Sequence, residues 1–317
     1  MKSLWAKFLA AAMLLLLAAA PSLADPAAMQ LLSSGRMNEV LGVLTNHEDA
    51  ESLNLLSRAY FAMERWDEAV KYGERATSLD SGNAKYHLWL GREYGRKAGS
   101  ANPLAAAGLA RKAKNEFERA VQLDPANVPA RVDLAEYYTE APAIMGGGLD
   151  KAREQAQQVA KYDHAKAHLV LARVAVKQKQ YTEAESQFRA GIKEATNPAD
   201  MWLQLAAFYR QRGRLDDMQQ AVQSAMAQPG KPADSYFDAG MELYLGSRDF
   251  PGAAQFLQKY LASGALVEGA PAFRAHYLLG QLHERMGHGE AAALEYEASL
   301  ALASDFVPAR KALSHVQ

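Results

Sequence analysis

The sequence contains no cysteine in its 317 residues. This absence excludes disulfide bonds, thiolate metal sites, c-type haem attachment and thiol nucleophiles. It also excludes a lipid anchor attached to an N-terminal cysteine. An exported chain without disulfides must be held together by packing alone, which suits a bacterial periplasm better than the eukaryotic extracellular space.

The sequence also lacks an excess of basic residues. It has 35 Lys and Arg against 36 Asp and Glu, which gives a net charge of −1. Proteins that bind nucleic acids carry a basic excess or a basic patch that neutralises phosphates. We therefore expect no nucleic-acid partner.

Long hydrophobic runs are scarce, and the only prominent one lies at residues 8–20. It follows Lys2 and Lys7 and precedes small residues that end at Ala24. This order is typical of a secretory signal peptide. The run is shorter than the roughly 20 residues of a membrane span, which disfavours the alternative of an uncleaved anchor. We predict a signal peptide over residues 1–24 that is cut after Ala24, a periplasmic mature chain and no membrane span after cleavage.

One pattern recurs along the rest of the chain, combining a Leu, a small residue and an aromatic residue, followed by an Ala and a second aromatic residue. Matches with this pattern follow each other in phase over nearly the whole mature chain. The clearest examples are Leu56–Tyr60 followed by Trp66–Ala69, Leu90–Tyr94 followed by Ala113 and Phe117, and Trp202–Tyr209.

A repeat of roughly 34 residues with these positions resembles the tetratricopeptide family. The resemblance implies an all-α fold, a right-handed superhelical solenoid of antiparallel helix pairs, each with a helix A and a helix B. It also implies a concave face, lined by the A helices, on which such solenoids bind partners.

The pattern divides the mature chain into about seven units over residues 50–305. Residues 25–49 are predicted to form an N-terminal capping half-repeat, and residues 306–317 a C-terminal solvating helix. Terminal repeats are usually atypical because one of their faces meets water. A longer stretch between repeats, residues 263–271, is a candidate flexible joint.

Two insertions interrupt the regular spacing. The step from Tyr94 to Ala113 is 19 residues, whereas the matching step from Tyr60 to Ala69 is 9. The extra residues lie near 95–111, where Asn102-Pro103 is typical of a helix start. A second insertion near 139–149 ends in three glycines.

Arginine recurs at related positions of several A helices. Because guanidinium groups bind carboxylates in a two-pronged fashion, one interpretation is a groove for an acidic or C-terminal peptide. The other is a solvated face on which each arginine pairs with an acidic residue of the neighbouring helix, and both stay open. The predicted partner-binding residues of this face are Asn54, Arg58, Phe61, Arg92, Arg96, Glu136, Arg173, Lys177 and Arg210.

No catalytic constellation is evident in the sequence, and we predict neither a cofactor nor a metal ion. We expect a non-enzymatic scaffold that holds a peptide or helix of another envelope protein in the concave groove. Two alternatives remain. One is a solute-binding accessory component of a transport system, which a pocket lined by the two insertions would favour. The other is a structural solenoid that self-associates into a homo-oligomer.

Overall fold

The computed structural model describes residues 26–317, so the predicted signal peptide lies outside the described residues. This part of the chain folds into α-helices joined by short connections, with one 3-10 turn and without a β-strand. The helices are α1 (Pro26–Ser34), α2 (Met37–Leu44), α3 (Ala50–Ala62), α4 (Trp66–Leu79), α5 (Ala84–Ser100), α6 (Pro103–Leu123), α7 (Val128–Glu140), α8 (Leu149–Val159), α9 (His164–Lys177), α10 (Tyr181–Glu194), α11 (Pro198–Gln211), α12 (Leu215–Met226), α13 (Asp234–Leu245), α14 (Phe250–Ala262), α15 (Ala272–Arg285), α16 (Gly289–Leu302) and α17 (Val307–Val316).

The helices stack as a solenoid, which confirms the predicted all-α fold. Each odd-numbered helix from α3 to α15 packs against the even-numbered helix that follows it, and each pair packs against the next pair. The A helices also touch one another in sequence, as α7 touches α9 and α9 touches α11. They therefore form one continuous row. Within residues 26–317, no helix combines the length and the apolar character needed to cross a lipid bilayer.

Asparagine and aspartate side chains begin many of these helices. Asn83, Asn102 and Asn127 each accept a hydrogen bond from a backbone N–H in the first turn of the following helix. Such caps satisfy donors that would otherwise lack a partner. Asn102 precedes Pro103, so the helix start predicted inside the first insertion is where α6 begins. The insertion lengthens both α5 and α6.

Small residues allow the two helices of a pair to approach closely. A β-carbon added at Gly91 in α5 would lie 2.5 Å from the ring of Phe117 in α6. A β-carbon added at Gly280 in α15 would lie 2.4 Å from the ring of Tyr296 in α16. The small and aromatic positions of the repeat pattern therefore pack directly against each other.

The two ends of the solenoid meet. Leu32 in α1 and Leu56 in α3 share one hydrophobic cluster with Phe273 in α15 and with Phe306 just before α17. Phe273 and Phe306 are 0% and 2% exposed, with ring centroids 5.0 Å apart. We call the contact of α1–α3 with the segment from residue 263 to α17 the seam.

The seam changes the surroundings of both predicted end segments. Residues 26–49 contain α1 and α2, and α2 packs against α16. Residues 306–317 contain α17, in which Ala309 is buried while most other side chains reach water. The sequence predicts an N-terminal capping half-repeat at residues 25–49 and a C-terminal solvating helix at residues 306–317. In the structure they are near the same junction, because the curvature of the stacked repeats brings them together.

Polar contacts also cross the seam. Asn38 Nδ2 donates to the backbone oxygen of Ala301 at 2.9 Å, and Asn38 Oδ1 accepts from the N–H of Ser304 at 2.9 Å. Gly35 has a φ of +78°, and a β-carbon there would lie 2.5 Å from the backbone nitrogen of Ala272. Only glycine therefore fits at this point of the seam without strain.

Residues 263–271 are held in place at the seam. The hydroxyl of Tyr260 donates to the backbone oxygen of Ala270, at 2.5 Å, and accepts from the N–H of Val267 at 3.0 Å. Tyr260 is fully buried. The stretch that the sequence analysis treats as a candidate flexible joint is thus tied to α14 by a buried side chain.

Candidate partner-binding cleft

A cleft of about 700 Å³ opens where α3, α5, α6 and α7 meet. Both insertions contribute to it, the first through the extensions of α5 and α6 and the second through the 3-10 turn Ala143–Met145 and the residues before it. Its walls are formed by Phe61, Trp89, Arg92, Gly95, Arg96, Ala98, Ala110, Ala113, Phe117, Asp133, Glu136, Tyr137, Glu140, Ala141, Pro142 and Met145.

Aromatic side chains form much of the cleft wall. The Phe61 and Trp89 rings meet edge to face, with centroids 5.6 Å apart. Both residues are half-buried, so part of each ring faces the cleft. Tyr137 donates from its hydroxyl to the backbone oxygen of Met145 at 2.8 Å. This bond ties the second insertion to α7 and gives the cleft a defined edge.

Most charged groups of the cleft are already paired. Arg92 Nε lies 2.6 Å from Asp133 Oδ2. Glu136 Oε2 lies 2.5 Å from Arg173 Nη1, and Glu140 pairs with Lys177 at 2.8 Å. Each pair joins two successive A helices. These acidic and basic groups therefore neutralise one another across the helix row.

The same arrangement answers the question that the sequence left open about the recurring arginines. Arg210 in α11 pairs with Glu242 in α13 at 2.8 Å, well away from the cleft. Arg92 and Arg173 pair with acidic residues on α7. The structure thus places these arginines in the arrangement of the second interpretation, in which they pair with acidic residues of the neighbouring helix.

Arg58 and Asn54 are buried. Arg58 is 6% exposed and makes a two-pronged ion pair with Glu268, with 2.8 Å between Nε and Oε1. Its guanidinium carbon also lies 5.0 Å from the centroid of the Trp89 ring. Asn54 is 1% exposed. Neither side chain is available to a partner, because both are buried. Glu268, which pairs with Arg58, lies in residues 263–271 of the seam.

Arg96 differs from the other arginines of the row. It is exposed in the cleft and has no ion pair with any residue of the described chain, 26–317. Its charge acts on Arg274 of α15, whose guanidinium donates to the backbone oxygen of Ala62 at 3.0 Å and pairs with Glu64 at 2.8 Å. Burial, together with the charge of Arg96, lowers the pKa of Arg274. Arg96 therefore brings an unpaired positive charge to this side of the cleft.

A buried carboxyl group lies behind the cleft. Glu93 is 0% exposed, between the turns of α5 that carry Trp89 and Arg96. The hydroxyl of Ser57 donates to Glu93 Oε1, while Oε2 has no hydrogen-bond partner in the described chain. Burial raises the pKa of Glu93 to about 8, against the opposing effects of Ser57 and Arg58. The group is therefore mostly neutral at pH 7.

The cleft brings together only part of the predicted partner-binding set. Phe61, Arg92, Arg96 and Glu136 line it, and Arg173 and Lys177 reach its acidic residues through ion pairs. The predicted partner-binding residues do not include Trp89, Asp133, Tyr137 and Met145, which also line the cleft. One signal for Trp89 is its spacing, since residues 89, 92 and 96 share one face of a helix. The described residues include no group of three or more His, Asp or Glu side chains that could hold a metal ion.

Comparison with known proteins gives two matches in sequence. Residues 50–83 and residues 146–197 each match a family model described as tetratricopeptide repeat. The first match covers α3 and α4, and the second covers α8, α9 and α10. No curated protein matches the sequence.

Several solved structures are similar to this chain at low sequence identity. A thermophilic TPR protein from Thermus thermophilus is 19% identical, with 58% of this chain and 95% of that chain covered and a TM-score of 0.48. A tetratricopeptide repeat protein from Parabacteroides merdae is 15% identical, with coverages of 84% and 98% and a TM-score of 0.43. The APC/C hetero-tetramer Cut9-Hcn1 is 15% identical, with coverages of 92% and 54% and a TM-score of 0.39.

The two matched stretches lie in different parts of the chain, and paired helices of the same kind connect them. The small and aromatic positions of the pattern pack against each other in matched and unmatched pairs alike. The chain thus contains tetratricopeptide repeats at residues 50–83 and 146–197.

Proposed function

We propose that this protein is a non-enzymatic scaffold that binds a segment of a partner protein in the cleft between α3, α5, α6 and α7. The observation that carries the proposal is the cleft itself, whose wall combines partly exposed aromatic rings with Arg96, which has no ionic partner within residues 26–317. Binding sites commonly combine an apolar, aromatic lining with a few polar groups that fix the orientation of the ligand. The repeats hold these side chains on rigid helices rather than on loops.

A peptide segment or a short helix is the ligand that best fits this surface. The cleft is lined by three successive A helices, α3, α5 and α7, so a ligand in it contacts several helices at once. Ion pairs between the A helices hold most of the charged side chains of its wall. Helix-in-groove recognition uses a few apolar anchors of this kind.

We also propose that the mature protein acts in the periplasm and that its partners are other envelope proteins. The basis is the sequence of residues 1–24 and the absence of cysteine. Mass spectrometry of the protein from a periplasmic fraction tests this: we expect an N-terminus at Asp25. Recovery of a chain that still begins at Met1 would contradict cleavage.

Affinity capture with a blocked cleft tests the binding proposal. Gly95 lines the cleft, and a β-carbon added there meets no atom within 4 Å. Gly95→Leu therefore adds an apolar side chain to the cleft wall at a position where its β-carbon meets no other atom. Gly42 on α2 is equally open and lies in the first helix pair, so Gly42→Leu is a matched control. The mature protein and both variants are used as baits for periplasm and solubilised envelope.

We expect a partner that is captured by the unmodified protein and by Gly42→Leu but not by Gly95→Leu. Capture that is the same for all three baits would place binding elsewhere and contradict the proposal. The absence of any partner above background would count against a protein scaffold in this envelope.

A second candidate function is solute binding in a transport system. The specific observation in its favour is that both insertions line the cleft, whose volume of about 700 Å³ is in the range of small-molecule sites. A thermal-shift screen of metabolites tests it. A compound that raises the melting temperature of the unmodified protein but not of Gly95→Leu would favour this function, and no stabilising compound would count against it.

Self-association remains the third alternative. We expect it to be unfavourable end to end, because α1–α3 and α15–α17 already cover each other across the seam. Light scattering at several concentrations checks this, and a mass that rises with concentration would contradict the expectation.

A further inference from the structure

We propose that the cleft recognises an acidic residue next to a large apolar residue in the partner segment, with Arg96 binding the carboxylate and Trp89 and Phe61 receiving the apolar side chain. This inference rests on the proposed function and specifies the chemistry of the partner. The proposed ligand is an internal segment of a protein chain. Binding of a free organic anion instead is one of the results that the test distinguishes.

Arg96 is the charged side chain of the cleft that a ligand can bind most easily. Arg92, Glu136 and Glu140 each have an ionic partner on the neighbouring A helix, at 2.5 to 2.8 Å. A ligand that binds one of them must compete with an existing ion pair. Arg96 has no such partner within residues 26–317, so it can bind an anion without breaking a bond. Charge-assisted hydrogen bonds to a carboxylate are the strongest that its guanidinium can make.

Arg274 of α15 is half-buried and pairs with Glu64 at 2.8 Å. Burial and the charge of Arg96 both lower the pKa of Arg274, so the two arginines repel each other. A carboxylate bound to Arg96 reduces this repulsion, whereas a bound lysine or arginine increases it.

Trp89 and Phe61 form the apolar part of the proposed site. Trp89 lies two turns from Arg96 along α5, and the ring of Phe61 touches it. Trp89 already lies close to the Arg58 and Arg92 guanidinium groups, each 5.0 Å from its centroid. These neighbours hold the ring in position, so it provides a preformed apolar surface. Trp89 and Arg96 are seven residues apart and so lie on one face of α5, where a single peptide segment can contact both.

Selection from a displayed library tests the inference. Random twelve-residue peptides, followed by the coat protein so that they have no free C-terminus, are selected on the immobilised mature protein. Binding of the enriched peptides is then measured to the unmodified protein, to Arg96→Glu and to Arg119→Glu. Arg119 is an exposed arginine of α6 that does not line the cleft, which makes it the matched control.

We expect the enriched peptides to contain Asp or Glu beside an aromatic or branched apolar residue. Their affinity should fall about tenfold or more in Arg96→Glu, which corresponds to the loss and reversal of one charge-assisted bond, and remain unchanged in Arg119→Glu. Selection on Arg96→Glu should favour peptides with Lys or Arg in place of the acidic residue. Gly95→Leu should bind none of these peptides.

Three results would overturn the inference. One is enrichment of peptides without an acidic residue, the second is equal binding to Arg96→Glu and the unmodified protein, and the third is stabilisation by free organic anions without any peptide binding. The affinity capture described above separates this failure from that of the proposed function. If a partner is lost with Gly95→Leu but retained with Arg96→Glu, the proposed scaffold function still holds and Arg96 has no role in recognition.

Discussion

The cleft and the seam use the same kinds of side chain in opposite ways. In the cleft, Trp89 and Phe61 keep part of their rings exposed, and Arg96 has no ionic partner in the described chain. At the seam, Phe273 and Phe306 are buried, and Arg58 is paired with Glu268. Aromatic and arginine residues therefore do not mark a binding site by themselves. What decides their role is whether another part of the same chain covers them.

The largest change in stability is expected at the seam, from Phe306→Ala. The ring of Phe306 packs against Phe273 at 5.0 Å and Tyr277 at 5.2 Å between centroids. Its removal leaves a cavity among buried residues and should lower the free energy of unfolding by about 3–5 kcal/mol. Urea denaturation measures this. Leu104→Ala, at an exposed residue in the first turn of α6, should change stability by less than about 0.5 kcal/mol. An equal loss in both variants would contradict the comparison.

Behind the cleft, Glu93 should make the stability of the protein depend on pH. Burial raises the pKa of Glu93 to about 8 from its ordinary 4.5, so the folded chain keeps a proton that the unfolded chain has lost between these values. Stability from this group is thus full below pH 4.5 and decreases as the pH rises to about 8, by roughly 1 kcal/mol for each pH unit.

Glu93→Gln should remove this dependence because its amide keeps the shape of the side chain without titrating. We expect the variant to be more stable than the unmodified protein at pH 8 and the difference to diminish toward pH 5. Urea denaturation at several pH values checks this. Parallel pH profiles for the two proteins would show that Glu93 does not titrate in this range.

The ion pair at the seam is the next test. Glu268→Gln leaves the Arg58 charge buried with a weaker partner, which should cost about 2 kcal/mol because breaking a well-buried pair costs about 3–5 and this pair is partly solvated. Denaturation midpoints measure the loss. Glu48→Gln, at an 80% exposed side chain paired with Arg75, should cost less than about 1 kcal/mol. Equal effects would mean that the seam pair contributes no more than a surface pair.

The smallest expected effect is a gain in the cleft. Gly95→Leu replaces a helical glycine at a place with open space around it. Leucine has the better helix propensity, so the free energy of unfolding should rise by about 0.5–1 kcal/mol. Thermal unfolding measures this gain, and a lower melting temperature would mean that the cleft is filled in the folded protein.

The sequence predicts the repeating part of the fold well. Helix starts follow from residues such as Asn102 and Pro103, because capping and a fixed φ are local properties. The pairing of Gly91 with Phe117 also follows from the pattern, since each repeat places the same kinds of residue at the same points. The candidate site is predicted less well. Asn54 and Arg58 have the right positions for a groove, but both are buried, and Arg58 pairs with Glu268, 210 positions away.

The two outcomes have one physical reason. Caps, small-residue positions and helical faces depend on neighbours within one or two repeats, so the sequence by itself determined a tetratricopeptide solenoid and the location of its insertions. Closure of the solenoid depends on small rotations that accumulate over all repeats and on the conformation of residues 263–271. The burial of Arg58 at the seam and the exposure of Arg96 in the cleft therefore follow from the three-dimensional packing and cannot be read from the local sequence.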